Sequence, residues 1–332
     1  MTMFQKILEN IHGNHVYIRT HNFPDPDAIA SAFALQKLLE HYSISSRICY
    51  GGKIDRFSTN QMVEHLGIQM YDLEESKDIL LQEDGILVDT QIGNSNLDYM
   101  RDSDVICVDH HPAFYDTVYR FSDVRPDVGA CVSIVASYYL EEQVDIPVEV
   151  ATAIVYGLKI DTANLSRGVT KLDLDVFYQL YPLANLDYIN MWEYSTLQLS
   201  DMKAYAYAIS NIEVIDDVSF ANTGSSCPEA LIANISDFML SIAEVRICIV
   251  CSVKESGIKL SVRSERNSYN SGEIAYRALQ DIGNGGGHYS MAGGFVPCGK
   301  DEQEREEMVL LIKNKMFQSV DEERQKQTIT VE

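Results

Sequence analysis

Acidic and histidine residues stand at or just beyond the ends of four short apolar runs spread over about half the chain. Apolar runs of this length are typical of buried strands, and strand ends of an open α/β sheet meet at one edge. Side chains that bind metals, gathered at such an edge, predict a metal site and make an enzyme the leading hypothesis. The runs and their polar residues are HVYIRT with His21, Asp25 and Asp27, GILVDT with Asp89, VICVDHH with Asp109, His110 and His111, and AIVYGLKID with Asp161.

Length and composition are those of an ordinary globular protein. The 332 residues, with 46% hydrophobic and 23% charged residues, predict two domains, each large enough to bury a core. The first residues, MTMFQKILENIHG, carry charges inside an amphipathic pattern, so no signal peptide is expected. No uncharged apolar stretch reaches the roughly 18 residues of a membrane span. Together with scattered cysteines inside apolar runs, these features predict a cytoplasmic protein with free thiols and no membrane partner.

The charge balance narrows the choice of partners. The chain has 49 acidic against 26 basic residues, a formal charge of -23, and no basic stripe. A protein that binds long nucleic acid depends on Lys and Arg contacts to phosphates, so a duplex partner is not expected. Small anionic substrates stay compatible with this charge, because bound divalent cations reverse the local charge of a carboxylate cluster.

The order of predicted elements gives the fold class. Strand and helix patterns alternate through the first two-thirds, which predicts an N-terminal doubly wound, mostly parallel α/β sheet. A smaller mixed α/β domain follows, in which the cluster GNGGGHYSMAGG is expected to lead into a helix. The predicted divisions are a catalytic domain at 1–185, a partly helical linker at 186–205, a second domain at 206–318 and a solvated tail at 319–332. The active site is expected in a cleft between the two domains.

Each candidate residue also has a plain structural explanation. Asp25 or Asp27, spaced so that both carboxylates share a face of an extended segment, could instead cap the following helix. Asp89 could be a strand-end turn residue, and Asp161 a partner of a helix end. The DHH triplet is harder to explain structurally, because three polar groups after a buried strand are costly unless they pair or bind metal. The CxxC pair Cys248 and Cys251 is predicted to be structural, since thiols three apart on a strand point to opposite faces.

Taken together, the motifs resemble the DHH phosphoesterase superfamily over nearly the whole chain. The first motif is His21-x3-Asp25-x-Asp27, the second Asp89 in LVDT, the third Asp109-His110-His111 and the fourth Asp161 in GLKIDTANLSRG. The later GGGHYSMAGG resembles the signature of the associated C-terminal DHHA1 domain. Asn284 replaces a glycine common in relatives, and the motif closes Ala292-Gly293-Gly294 rather than with two alanines, so substrate preference is left open.

The resemblance implies a pair of divalent cations, with Mn²⁺ expected and Mg²⁺ or Co²⁺ as alternatives. One cation would take His21, Asp25 and Asp89, and the other Asp27, Asp89, His110 and Asp161. A hydroxide held between the two metals would attack phosphorus. The resemblance implies three catalytic residues. Asp89 would bridge the two cations, His111 would contact the scissile phosphate, and Asp109 would orient an imidazole. The substrate-binding residues implied by the second domain are Arg263, Ser264, Gly285, Gly286, Gly287 and His288.

Within the superfamily, the chain resembles the bifunctional oligoribonuclease (nanoRNase) and pAp phosphatase branch. That resemblance implies hydrolysis of RNA of about 2–5 nucleotides to mononucleotides, removal of the 3'-phosphate of pAp, or both. The alternatives are a phosphodiesterase for linear or cyclic dinucleotides and an exopolyphosphatase-like phosphohydrolase. A degenerate nucleotide-binding module is the non-enzyme alternative, and a homodimer is left open.

Overall fold

The computed structural model divides into two compact units, Met1–Thr196 and Leu197–Glu332. It describes residues 1–54, 56–73, 83–94, 96–97, 104–112, 118–194, 197–225, 227–265 and 268–330. Residues 195–196 of the predicted linker and 331–332 of the predicted tail lie outside these ranges. The domain boundaries given above stay a prediction.

The first unit is built on a six-stranded sheet in which every pair of neighbours is parallel. Its order is β3-β2-β1-β4-β5-β6, so the direction of winding reverses between β1 and β4. This is the doubly wound arrangement, and it confirms the predicted fold class. The strands are β1 His15–Arg19, β2 Ser45–Tyr50, β3 Met70–Asp72, β4 Asp84–Val88, β5 Asp104–Asp109 and β6 Phe121–Val124.

Helices cover this sheet and provide most of the remaining core. The central one, α2, is buried along nearly its whole length because it packs against both α4 and α5. A capping box between Thr2 and Gln5 starts α1, and Asp25 caps α2. The helices are α1 Met3–Asn10, α2 Pro26–His41, α3 Phe57–His65, α4 Cys131–Glu142, α5 Val148–Asp161, α6 Lys171–Leu180 and α7 Leu186–Tyr194.

The second unit has its own six-stranded sheet, of order β11-β12-β10-β9-β8-β7. Only the β8–β9 pair is parallel, so this sheet is mixed, as predicted. Its strands are β7 Glu213–Ile215, β8 Val218–Asn222, β9 Ile247–Lys254, β10 Gly257–Ser264, β11 Asn284–Gly287 and β12 Met291–Pro297. A 3-10 turn at Leu199–Asp201 precedes the helices α8 Met202–Ser210, α9 Glu229–Leu240, α10 Ser271–Leu279 and α11 Glu302–Thr330.

The two cysteines of the CxxC sequence lie on opposite faces of β9. Cys248 packs with Ile232 and Ile235 of α9, whereas Cys251 packs in a separate cluster with Ile274 and Ile312. Both thiols are buried and free. The structural interpretation of this pair is confirmed, because side chains three residues apart on a strand project from different faces.

The glycine cluster does not lead into a helix, and that part of the prediction was wrong. Residues Asn284–Gly287 form the edge strand β11, and the chain returns as β12. A Cβ on Gly285 would lie 2.6 Å from the carbonyl oxygen of Ala275, and one on Gly287 would lie 2.5 Å from that of Met291. The glycines are therefore required for close packing of backbone on α10 and β12.

The residues of the predicted tail that the structure describes continue helix α11, and the first two of them are buried. Helix α11 is 29 residues long and runs to Thr330. Val320 is buried, and the Arg324 guanidinium donates to the Tyr269 hydroxyl at 2.8 Å and pairs with Asp217. Ile312, Met316 and Val320 recur every four residues, so they form the apolar stripe by which a mostly charged helix packs.

Across the described ranges, no helix combines the length and the apolar character needed to cross a membrane.

We predict that Val320→Ala lowers the free energy of unfolding by about 2 kcal/mol, because it removes two buried methyl groups and leaves a cavity. Leu310→Ala is the matched control, since Leu310 lies on the same helix and is 55% exposed. Urea unfolding of both variants measures the difference. Equal stability of the two variants would show that the end of α11 does not contribute to the core.

Candidate metal centre

Three neighbouring strands of the first sheet deliver the predicted site residues at one edge. The chain leaving β1 carries His21 and Asp25, Asp89 directly follows β4, and β5 ends at Asp109 before His110 and His111. Strands β1 and β4 flank the point at which the strand order reverses. Open α/β sheets form their crevice at this point, because the connections on either side lead away to opposite faces.

The spacing of Asp25 and Asp27 predicted that both carboxylates share one face of an extended segment. The structure shows a different arrangement. Asp25 is the N-cap of α2, and its Oδ1 accepts from the backbone N–H groups of Asp27 and Ala28, both at 3.0 Å. Asp27 lies in the first turn of the helix, after Pro26. The capping explanation is therefore correct for Asp25, yet it does not replace a ligand role, since a carboxylate has several lone pairs.

The Asp27 carboxylate is buried and held by a second helix. Its Oδ2 accepts from the Cys131 N–H at 2.7 Å and its Oδ1 from the Val132 N–H at 2.9 Å, at the start of α4. Burial raises the pKa of Asp27 well above its usual range, and the neighbouring Asp161 and Asp25 raise it further. The two backbone donors act in the opposite direction, since they stabilise the ionised form.

Asp161 reaches the site from the end of helix α5 rather than from a strand. Helices α5 and α2 approach closely at Gly157, where a Cβ would lie 3.0 Å from both the Ala30 Cβ and the Pro26 carbonyl oxygen. A larger side chain at this position would separate the helices. Gly157 therefore allows Asp161, one turn further along α5, to lie beside the start of α2.

The ligand atoms gather into neighbouring groups with ion-binding spacing. Within each of three groups, one ligand atom per residue lies within 4.8 Å of the others. His21 Nε2 is 3.6 Å from Asp89 Oδ2 and 3.9 Å from Asp25 Oδ1, while His110 Nε2 is 3.4 Å from Asp89 Oδ1 and 3.6 Å from Asp161 Oδ2. Asp89 thus faces both histidines, one with each oxygen. The groups are His21 with Asp25 and Asp89, Asp27 with His110 and Asp161, and Asp89 with His110 and His111.

Hydrogen bonds orient the two inner imidazoles. His21 Nδ1 lies 2.8 Å from the Asn22 carbonyl oxygen, and His110 Nδ1 lies 3.1 Å from that of Val128. A carbonyl only accepts, so each Nδ1 carries the proton and each Nε2 presents a lone pair toward the carboxylates. This is the tautomer that a metal-binding histidine needs.

Asp89 is a buried carboxylate that the described protein groups satisfy only in part. It is 2% exposed, and its Oδ1 is buried with no hydrogen-bond partner among the described residues. Burial, and then the charges of Asp27, Asp25, Asp109 and Asp161, raise its pKa well above its usual range. An orphaned carboxylate oxygen between two histidines and among other carboxylates fits a divalent cation, which would supply the missing partner.

The third histidine differs from the other two. Asp109 is buried, and its Oδ1 accepts from the His111 Nδ1 at 2.9 Å and from the backbone N–H groups of His110 and His111. This hydrogen bond is the main reason that the pKa of His111 is raised. The His111 side chain is 46% exposed, so its ring faces solvent.

Residues outside the recognised motifs hold this arrangement in place. Gln91 Nε2 donates to Asp109 Oδ2 at 2.7 Å and to the His111 carbonyl at 2.9 Å. Asp173 Oδ2 accepts from the Gly129 N–H at 2.9 Å, and so fixes the segment whose next residues bind Asp27. Sequence reasoning missed both residues. The Thr170-x-x-Asp173 spacing of a capping box was a visible signal, whereas nothing in the sequence marked Gln91.

The predicted substrate residues of the second unit fall into two environments. Arg263 Nε is paired with Asp237 Oδ1 at 3.1 Å, and the same guanidinium donates to the Val262 carbonyl. Ser264 is buried, and its hydroxyl donates to the Tyr269 carbonyl at 2.7 Å. Ser264 therefore supports the loop beside Arg263 and presents no free hydroxyl.

His288 follows the glycine strand and is exposed. Its N–H donates to the Met291 carbonyl at 2.7 Å, and its carbonyl accepts from Gly272 at the start of α10. Gly286, between the two packed glycines, has open space where a Cβ would be. The turn thus presents the His288 imidazole and uncovered backbone on one surface.

Comparison with known families identifies the two units. Residues 15–158 match the model of the DHH family, N-terminal domain, and residues 214–316 match that of the DHHA1 domain. These two matches account for most of the chain. The protein belongs to the DHH family, and the resemblance drawn from the motifs is confirmed.

Relatives of this chain come from archaea and bacteria. An uncharacterized protein of Methanocaldococcus jannaschii is 32% identical over 285 residues, which are 85% of this chain and 58% of that protein. This chain thus spans less than two-thirds of that relative. A second uncharacterized protein of the same organism is 23% identical over 97% of this chain and 98% of its own length. A probable manganese-dependent inorganic pyrophosphatase of Streptococcus thermophilus is 25% identical over 73% of this chain and 79% of its own.

Solved structures share the fold. An exopolyphosphatase-related protein from Bacteroides fragilis superposes with a TM-score of 0.78 at 21% identity, covering 97% of this chain and 96% of its own. RecJ from Thermus thermophilus, solved in complex with Mn²⁺, gives a TM-score of 0.52 at 12% identity over 95% of this chain and 53% of its own. At these identities the likeness concerns architecture.

We predict that Gln91→Met lowers the free energy of unfolding by about 1–3 kcal/mol, because Asp109 Oδ2 loses its donor while it stays buried. The matched control is Gln69→Met at an exposed position. Denaturant unfolding in the presence of a chelator isolates this contribution from any metal effect. A loss no larger than that of the control would show that Gln91 does not hold Asp109.

Proposed function

We propose that this protein is a divalent-metal-dependent hydrolase of phosphoester bonds in small substrates. The observation that carries the proposal is Asp89, a buried carboxylate with an orphaned oxygen and a histidine Nε2 within 3.6 Å of each of its two oxygens. Protein groups alone leave this arrangement with excess negative charge. Two cations that share Asp89 would neutralise it, as two-metal phosphoryl-transfer sites do.

The ligand sets follow from the same groups. His21, Asp25 and Asp89 would hold one cation, and Asp27, Asp89, His110 and Asp161 the other. Carboxylate oxygens with a few imidazoles suit Mn²⁺, with Mg²⁺ or Co²⁺ as substitutes. The pyrophosphatase of Streptococcus thermophilus, named as manganese-dependent, and the Mn²⁺ complex of RecJ support this choice. When bound, such cations supply Lewis-acid charge and lower the pKa of a bound water.

His111 is the group best suited to contact the substrate phosphate. Its Nδ1 proton is committed to Asp109, and its ring is half exposed beside the ligand groups. In its protonated form, which Asp109 favours by accepting from Nδ1, the imidazole donates its Nε2–H to a phosphate oxygen or protonates a leaving group. Asp109 positions this imidazole, and Gln91 in turn positions Asp109.

Short nucleotides are the proposed substrates: RNA of a few residues and the 3'-phosphate of pAp. The excess of 49 acidic over 26 basic residues disfavours long polyanions, because few cations are present to follow a phosphate backbone. On the second unit, Arg263, the glycine strand Gly285–Gly287, which is uncovered at Gly286, and His288 are proposed to bind a substrate phosphate. Arg263 would exchange its pair with Asp237, which is 62% exposed and therefore weakly held, for the phosphate.

The test is a side-by-side turnover assay of the purified full chain with Mn²⁺. The substrates are a 5'-phosphorylated RNA dinucleotide, pAp, a cyclic dinucleotide, polyphosphate and pyrophosphate, with release of phosphate and mononucleotide as readouts. We expect turnover of the dinucleotide and pAp. Polyphosphate and pyrophosphate are included because the Bacteroides fragilis structure and the Streptococcus thermophilus relative carry those names.

Activity confined to the cyclic compound would overturn the short-nucleotide assignment and leave the metal-dependent phosphoester hydrolase in place. Activity confined to polyphosphate or pyrophosphate would also overturn the phosphoester assignment, because their bonds are phosphoanhydrides, and would leave only a metal-dependent hydrolase. No turnover of any of the five, with metal bound at two equivalents, would overturn the proposed enzyme.

We predict that Asp89→Asn reduces bound Mn²⁺ from two equivalents to one or none and lowers turnover at least about 1,000-fold, since both cations lose a charged ligand. Asp27→Ala should remove one equivalent. The matched control, Asp175→Asn, changes a carboxylate that is 48% exposed and paired only with Lys171 on the described surface. Metal analysis after gel filtration gives the result independently of activity. Two equivalents in Asp89→Asn would contradict a shared ligand.

A further inference from the structure

We propose that the second unit carries a separate binding site for a nucleoside phosphate. A cavity of about 590 Å³ lies between the start of α11, one face of α8 and the chain that leaves β8. Its lining includes Lys203, Tyr207, Gly224, Lys300 and Arg305. The volume is in the range of sites for small organic ligands. The inference does not rest on the proposed phosphoester hydrolysis.

Three cations line this cavity in a strongly acidic chain. Lys203 and Lys300 are exposed, and Arg305 is half-buried. None of the three forms an ion pair with a described residue, although most other described arginines pair with an acid. Glu302 and Glu306 also line the cavity, so the excess of positive charge is a single unit. Unpaired cations facing a concave site favour an anionic ligand of low charge, such as a phosphate monoester.

The guanidinium is fixed before any ligand arrives. Arg305 Nε donates to the Gly299 carbonyl at 2.8 Å, and its Nη2 donates to that of Glu255 at 3.1 Å. These two bonds use two of the five guanidinium donors and leave the others for a ligand. A preplaced donor loses little side-chain entropy on binding, which favours affinity.

The opposite wall is equally well held. The Asn211 side chain accepts from the Asn222 N–H at 2.8 Å and donates to the Asn222 carbonyl at 2.9 Å. The Gly224 N–H donates to Asn222 Oδ1 at 2.9 Å, and the Gly224 carbonyl accepts from the Val253 N–H at 3.1 Å. The cavity is therefore a formed site rather than a gap beside a loosely held loop.

Tyr207 supplies the surface for a base. It lies four residues after Lys203, so the two side chains share one face of α8. Its ring is 52% exposed. Gly224 has φ +73°, and a Cβ there would lie 3.6 Å from the ring. Glycine thus adopts this positive φ without strain and leaves the Tyr207 ring uncovered. An exposed tyrosine ring beside cations is suited to stacking on a nucleobase.

This cavity is distinct from the surface proposed above for the substrate phosphate. In the antiparallel β9–β10 pair, Arg263 lies opposite Cys248 at the start of β9. The cavity is instead lined by Val253, near the end of that strand. Five residues at about 3.3 Å each place the two roughly 16 Å apart along β9. A ligand in the cavity therefore leaves the Arg263 surface free, and the site fits a nucleotide effector.

The experiment is calorimetric titration of AMP into the full chain, with inorganic phosphate as the comparison ligand. Lys203→Gln/Lys300→Gln is the main variant, because both side chains are exposed and their loss does not disturb the fold. We expect its Kd for AMP to rise at least about tenfold, since each charge-assisted contact is worth that much. Tyr207→Ala should weaken AMP and leave phosphate unchanged.

Two controls separate this site from the rest of the chain. Lys315→Gln removes a charge on α11 outside the cavity and should keep the AMP affinity of the wild type. Arg263→Gln reports any AMP that binds at the other proposed phosphate contact. If Lys315→Gln lost as much AMP affinity as the main variant, the effect would be one of net charge. If only Arg263→Gln lost AMP affinity, AMP would bind at the other surface. If inorganic phosphate bound as tightly as AMP, the assignment of a nucleoside ligand would be overturned. Each of these outcomes refutes the proposal.

Discussion

The concentration of carboxylates around Asp89 is the constraint on which the arrangement of the first unit depends. Asp27, Asp109 and Asp161 all raise the pKa of Asp89, so folding places like charges together in a buried site. Such an arrangement persists only if other groups offset the repulsion. Backbone N–H groups offset part of it at Asp25, Asp27 and Asp109, and the orphaned Asp89 Oδ1 marks what remains for a cation.

The doubly wound topology explains why these groups can meet. Open α/β sheets form a crevice where the strand order reverses, here between β1 and β4, and the site residues that follow β1, β4 and β5 gather there. Helices complete it: the start of α4 binds Asp27, and the end of α5 brings Asp161. Close packing of α5 on α2 at Gly157 thus positions a ligand one turn away.

The second unit has a different physical organisation, with one mixed sheet and a core on each face. Its two ends carry different chemistry. At one end, Arg263 and His288 stand beside a glycine strand that is packed too closely for side chains. At the other, Lys203, Lys300 and Arg305 surround a cavity with an uncovered tyrosine ring. Sequence motifs mark the first end, whereas the second gathers residues from distant segments with no shared pattern.

Several features were predictable because they depend on local pattern. Apolar runs located β1, β4 and β5, since core strands carry strong hydrophobic signals, whereas the apolar run that ends at Asp161 forms the helix α5. Short or edge elements such as β3, β6 and β11 were missed, because three or four residues, or glycines alone, carry little signal. The end of α11 was taken for a tail, because its single apolar stripe is hidden among charged residues.

The sequence by itself determined the family, the parallel sheet and the identity of the potential metal ligands, because these follow from residue types in a fixed order. Tertiary structure alone decided how they act. It placed Asp27 against the start of α4, left Asp89 Oδ1 without a partner among the described residues and recruited Gln91 and Asp173 as supports. The physical reason is that hydrogen-bond partners and burial depend on distances between segments far apart in the chain, and a linear pattern does not encode those distances.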